Sequence, residues 1–174
     1  GYEVSMRDIE DRFVQGGLNI IKKNYERAIS KGKMTKEQSD ALLSKVKGTL
    51  DMVEAVKGAA VVIEAVIENM DLKKQVYKEL DQLCAKETIL ATNTSGLSLT
   101  ELGSMPNLPE KVLGMHFFNP VPVMKLIEII KGQATSEETF AVIKALSEKL
   151  GKTPITVNEA PGFAVNRILV PMIN

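Results

Sequence analysis

A chain of 174 residues, 44% of them apolar, can bury one substantial core. Its 22 Lys and Arg balance 22 Asp and Glu, and this zero net charge excludes wholesale binding to nucleic acid or to an anionic membrane, which needs a basic excess. The one cysteine, Cys84, excludes an internal disulfide and a cysteine-cluster metal site, and the one histidine, His116, must carry any chemistry that needs imidazole.

In chain order, residues 2–8 alternate apolar and polar and end on charge at Asp8, which predicts a short strand. From Ile9 to Lys31, Phe13, Leu18, Ile21, Tyr25 and Ala28 keep helical spacing, and Gly32 is a plausible stop. Thr35-Lys36-Glu37-Gln38 is a capping-box pattern opening a second helix that carries Leu42 and Val46. The two helices are expected to form a hairpin with Lys31, Lys33 and Lys36 at a basic tip. Residues 59–67 are almost continuously apolar, as in a strand covered on both faces, with Glu64 inside the run and no role evident for it. A helix over about 70–83 follows, then strands over 88–93, 112–117 and 126–130. A capped helix from Thr135 to Leu150 stops at Gly151, and residues 152–157 make a last strand. After Ala160-Pro161-Gly162 a new helix is predicted from Phe163 to Asn174. Cys84 reads as a small residue on an apolar helix face.

Alternating strands and helices predict an α/β fold with a mainly parallel, doubly wound sheet. Such a fold begins with a strand, a G-x-G-x-x-G turn and a helix, whereas this chain opens at the strand that ends in an acidic residue. Gly16 and Gly17 lie inside a helical pattern and do not match that turn. We therefore expect a fragment: residues 1–160 as a nucleotide-binding domain lacking its first βα unit, and residues 161–174 as the start of an all-helical C-terminal domain. No apolar run reaches the ~18 residues of a membrane span, and no signal-peptide pattern opens the chain. A reducing, cytoplasmic compartment is expected.

Met115-His116-Phe117-Phe118-Asn119-Pro120-Val121-Pro122, followed by Met124-Lys125-Leu126-Ile127-Glu128-Ile129-Ile130, resembles the signature of the 3-hydroxyacyl-CoA dehydrogenases. So do Ala91-Thr92-Asn93-Thr94-Ser95 upstream and Pro161-Gly162-Phe163-Ala164-Val165-Asn166-Arg167 downstream, in the same order. The resemblance implies a Rossmann-like fold and hydride transfer between NAD and the 3-hydroxyl carbon of an (S)-3-hydroxyacyl-CoA. It points most to the short-chain branch acting on 3-hydroxybutyryl-CoA, in fatty-acid or butyrate metabolism. It places the catalytic histidine on His116, its carboxylate partner on Glu128, and substrate-contacting residues on Ser95 and Asn166. The ribose-holding acid falls on Asp8, and residues on the nicotinamide side fall on Glu68, Lys73, Ser95 and Asn119. A CoA-contacting lysine falls on Lys31, with Lys33 as the alternative. The longer parent is expected to be a homo-oligomer through the missing helical domain, and this chain alone a poor enzyme.

The residue types suit that chemistry. Oxidising a secondary alcohol needs a base for the hydroxyl proton, and neutral imidazole titrates near neutrality. His116 ends a predicted strand, where open α/β sheets place ligands. Glu128 lies among Leu126, Ile127, Ile129 and Ile130, so a buried charge there needs a partner. The bland alternative is a satisfied core histidine with Glu128 turned to solvent by strand alternation. Ser95 either donates to a developing oxyanion or caps the helix near Leu97-Ser98-Leu99. Asn166 either reaches the site or caps locally. Asp8 favours NAD, while the adjacent Arg7 leaves NADP open. The basic tip suits CoA phosphates or is a solvated face. The rivals are a 3-hydroxy acid dehydrogenase that does not use CoA and a non-catalytic descendant of the fold.

Overall fold

In the computed structural model, which describes residues 1–173, the first alternating segment forms strand β1 (Val4–Arg7). Helix α1 (Asp11–Ser30) contains Gly16 and Gly17, as its periodicity predicts. A Cβ at Gly17 would lie 2.9 Å from the Met6 side chain, so that glycine permits close packing of helix on strand. Helix α2 (Lys36–Leu43) starts on the expected capping box: Gln38 N donates to Thr35 Oγ1 (3.2 Å) and Thr35 N to Gln38 Oε1 (3.0 Å).

Val46 corrects the sequence reading, because it opens a strand instead of continuing α2. Strand β2 (Val46–Thr49) runs parallel to β1, with Val4 opposite Val46 and Arg7 opposite Thr49. Lys47 and Gly48 hide this strand from any propensity argument. The cause is tertiary: a Cβ at Gly48 would sit 2.3 Å from Val14 Cγ1, so only glycine lets α1 lie on this strand. A short helix α3 (Met52–Val56), also unforeseen, is capped by Asp51, which accepts from Val53 N at 2.8 Å. These elements form one compact unit, Gly1–Lys57, with its own two-stranded sheet.

The second unit, Gly58–Asn174, holds a five-stranded sheet in the order β3-β4-β5-β6-β7. Its elements are β3 (Val61–Glu64), α4 (Met70–Leu83), β4 (Ile89–Thr92), α5 (Leu99–Gly103), β5 (Val112–Phe117), β6 (Leu126–Lys131), α6 (Glu137–Lys149), β7 (Thr153–Asn158) and α7 (Val165–Ile173). The boundary between the two units follows Lys57. All pairings are parallel except β5 with β6. Residues 118–125 are too few for the crossover of about a dozen residues that a parallel pair requires.

Ile89, Ala91, Leu113, Met115, Ile127, Ile129 and Ile143 make the main core. Strand β3 is shorter than its apolar run and lies at the sheet's edge, where Ile63 is exposed, so it is not covered on both faces as expected. The backbone leaves the strand after Glu64 because Val66 N turns back onto Glu64 Oε1 at 2.6 Å. Cys84 ends α4 in an extended conformation instead of lying on a helix face. Burial raises its thiol pKa, with the Asp81 charge adding to the shift.

Candidate active site

Antiparallel pairing puts His116, late in β5, directly opposite Glu128 on β6. Facing residues on an antiparallel pair project to the same side, and His116 Nδ1 lies 2.7 Å from Glu128 Oε2. Glu128 is completely buried, which rules out the solvent-facing alternative, and His116 keeps only 5% exposure. The other carboxylate oxygen, Oε1, accepts Ala164 N at 3.0 Å and Val165 N at 2.9 Å, from the start of α7. Two backbone donors and one imidazole N–H therefore satisfy this buried charge. With Nδ1–H committed to Glu128, Nε2 is left as the acceptor nitrogen, and it has no hydrogen bond among the described residues.

Aromatic rings hold the imidazole in place: Phe118 at 4.6 Å between centroids and Phe163 edge-on at 5.8 Å. Phe163 is buried beside Leu99 and Ile130 with φ at 52°, a left-handed conformation that costs a bulky residue on the order of 1–3 kcal/mol. Burial of the ring offsets that cost, and the turn made with Gly162 (φ 72°) aims the Ala164 and Val165 amides at Glu128.

A second polar cluster lies at the C-terminal ends of β3 and β4. Glu68 Oε1 accepts from Thr94 Oγ1 (2.6 Å) and from Ser95 N (2.8 Å). Thr94 Oγ1 in turn accepts Leu97 N at 3.0 Å, which shapes the turn carrying Ser95. Asn166 Nδ2 donates to Ser95 O at 3.3 Å, so two predicted site residues from distant segments meet. Helix α5 is capped by Ser98, not Ser95, and the exposed Ser95 hydroxyl makes no hydrogen bond among the described residues. Asn93 Oδ1 accepts Phe117 N at 2.8 Å and ties this turn to the residue after His116.

Lys73 is fully buried, with Nζ 2.8 Å from Glu64 Oε1, 3.1 Å from Val66 O and 3.6 Å from Glu68 Oε2. Glu64, left without a role by the sequence, is thus the partner of a predicted site lysine. The available signal was a carboxylate inside the most apolar strand, which has to be paired. Asn119 is exposed beside a cis peptide bond to Pro120, without a hydrogen bond among the described residues. In the first unit, Asp8 is exposed just after β1. Its Oδ1 accepts Ile9 N at 2.7 Å, and its Oδ2 makes no hydrogen bond among the described residues. Lys31 is exposed at the C-cap of α1, and Lys33 is exposed nearby.

Residues 1–160 match the family model described as 3-hydroxyacyl-CoA dehydrogenase, NAD binding domain. A 3-hydroxybutyryl-CoA dehydrogenase of Clostridioides difficile is 47% identical over all 174 residues, which cover 62% of that protein. The fatty acid oxidation complex subunit alpha of Idiomarina loihiensis is 42% identical over 99% of this chain and 24% of its own length. A crystal structure of (S)-3-hydroxybutyryl-CoA dehydrogenase from Ralstonia eutropha superimposes with a TM-score of 0.95 at 45% identity, over 99% of this chain and 60% of that one. The chain thus spans about three fifths of its dedicated dehydrogenase relatives. A buried His–Glu pair on a Rossmann-like α/β sheet and a family match across nearly the whole length agree: the chain belongs to the 3-hydroxyacyl-CoA dehydrogenase NAD-binding domain family.

Proposed function

We propose that this chain carries the acid–base machinery of an NAD-dependent oxidation of (S)-3-hydroxyacyl-CoA to 3-ketoacyl-CoA, with 3-hydroxybutyryl-CoA and acetoacetyl-CoA as the substrate pair. The observation that carries the reading is the sealed Glu128–His116 pair with a free Nε2. Bound NAD supplies the hydride acceptor at its nicotinamide. His116 Nε2 takes the proton of the substrate hydroxyl as the C–O bond gains double-bond character. The imidazolium formed is stabilised by Glu128, which already holds Nδ1 in the matching tautomer. The exposed Ser95 hydroxyl and the Asn166 amide are assigned to the substrate oxygen, where a donor offsets developing charge.

Asp8 suits NAD because an exposed carboxylate after a strand accepts ribose hydroxyls and repels a 2′-phosphate. Glu68, Lys73 and Asn119 are assigned to the nicotinamide side, and Lys31 to the CoA phosphates. The polypeptide at the full length of its relatives is expected to oxidise NADH with acetoacetyl-CoA, and more slowly with NADPH or with free acetoacetate. The rate is followed by loss of NADH absorbance. Equal turnover of acetoacetate would favour the enzyme that does not use CoA, and no turnover of either would overturn the proposal.

A further inference from the structure

Glu64 is a carboxylate with 5% exposure that the proposed proton transfer does not use. It ends β3 opposite Thr92 of β4. Both oxygens are held: Oε1 accepts Lys73 Nζ (2.8 Å) and Val66 N (2.6 Å), and Oε2 accepts Thr92 Oγ1 (2.8 Å). A carboxylate pinned by a backbone amide and a strand hydroxyl has little freedom, so the ammonium bound to it is fixed too. Lys73 comes from the first turn of α4, and its Nζ stands between Glu64 and Glu68, whose side chain is 44% exposed. One cation thus serves two carboxylates, one sealed and one facing solvent beside the Ser95 turn.

On this basis we infer that Glu64 is a positioning residue for the cofactor face. Through Lys73 it sets where positive charge stands beside Glu68. The inference rests on the assignment of Lys73 and Glu68 to the nicotinamide side. An ammonium deprived of Glu64 has one carboxylate left within reach, Glu68. Glu64→Gln keeps the shape of the side chain and removes its charge, so Lys73 is drawn toward Glu68 Oε2 and leaves its place between the two carboxylates, while Glu68 Oε1 keeps Ser95 N. Stability alone does not require this pair, since buried ion pairs are often no better than apolar replacements of similar size.

The test uses the polypeptide at the full length of its relatives, with NADH affinity read by fluorescence titration and folding by thermal unfolding. Glu64→Gln is expected to weaken NADH about tenfold, as for a lost charge-assisted contact, and to raise the KM for NADH alike. The KM for acetoacetyl-CoA should stay within about twofold, because Glu68 Oε1 still holds Ser95 N. Adding Lys73→Met to Glu64→Gln should cost little more than either change alone, since the two act as one unit. Additive losses, or wild-type NADH affinity in folded Glu64→Gln, would overturn the inference. If Glu64→Gln does not fold, Thr92→Val carries the test by freeing Oε2 while keeping the charge pair. A folded Thr92→Val with NADH affinity roughly two- to fivefold weaker supports the inference, because the change loosens Glu64 without removing its charge, and wild-type affinity overturns it. Failure of the wild-type protein to bind NADH would instead defeat the functional proposal itself.

Discussion

Glu128 and Glu64 are both carboxylates buried at strand positions of the same sheet, each within 2.7–2.8 Å of a nitrogen that can carry charge. Both also accept backbone amides that fix them, from Ala164 and Val165 in one case and from Val66 in the other. They differ in what the partner has left over. The Lys73 ammonium has no lone pair, and its neighbours are all acceptors: Glu64, Val66 O and Glu68. It can place charge but cannot take a proton. Imidazole has a second nitrogen, and in His116 that nitrogen is the free acceptor. Burial and a short ion pair therefore do not mark a base, whereas an unused lone pair on the partner does.

The largest expected effect breaks the contrast at its active end. His116→Gln should lower turnover of the full-length polypeptide by roughly 10²–10⁴, the range for a lost general base. NADH affinity by fluorescence titration should stay near wild type. Turnover within a few fold of wild type would place the base elsewhere.

A smaller effect sharpens the comparison. Glu128→Gln keeps an acceptor for the Ala164 and Val165 amides but removes the charge that stabilises imidazolium and can present the wrong tautomer. Turnover is expected to fall about 10²-fold, less than for His116→Gln because an imidazole remains. Steady-state kinetics of Glu128→Gln and Glu64→Gln side by side decide the matter. The first should lose kcat at unchanged NADH affinity, and the second should lose NADH affinity first. The same pattern in both would erase the distinction.

The smallest effect concerns Tyr77, a neighbour of the Glu64 network. Its hydroxyl is completely buried without a hydrogen bond among the described residues, beside Thr92, whose own hydroxyl donates to Glu64. Burial, and secondarily the Glu64 charge, raise this phenol well above its ordinary value. A phenol in the unfolded chain ionises near pH ~10, so the stability tied to keeping Tyr77 neutral is fully present below that pH and is lost as pH climbs above it. Tyr77→Phe should be neutral to about 1 kcal/mol stabilising near neutral pH, because it removes an unsatisfied buried hydroxyl. It should also flatten the alkaline loss, as read from denaturant midpoints at about pH 8 and about pH 10.5. An unchanged or steeper alkaline loss in Tyr77→Phe would show that this phenol does not govern that limb.

By itself the sequence determined whatever depends on neighbours a few residues apart. The capping box at Thr35–Gln38, the stop at Gly151, and the strands closing at Thr92 and Phe117 follow from local hydrogen bonding and from the two- and 3.6-residue periods. The motif segments around Ser95, His116, Glu128 and Asn166, together with a single histidine, were enough to nominate the site. Tertiary structure alone decided which atoms of those residues meet. That Glu128 faces His116 follows from the antiparallel register of β5 and β6. That the sealed Glu128 carboxylate is satisfied depends also on two amides 36 and 37 residues away. Strand β2 exists because Gly48 admits α1, and Glu64 acquires a role because Lys73 reaches back from the next helix. Periodicity says which face of an element is buried. A charge inside that face is explained only by donors that the fold brings from elsewhere, because desolvation makes the pairing obligatory without naming the partner.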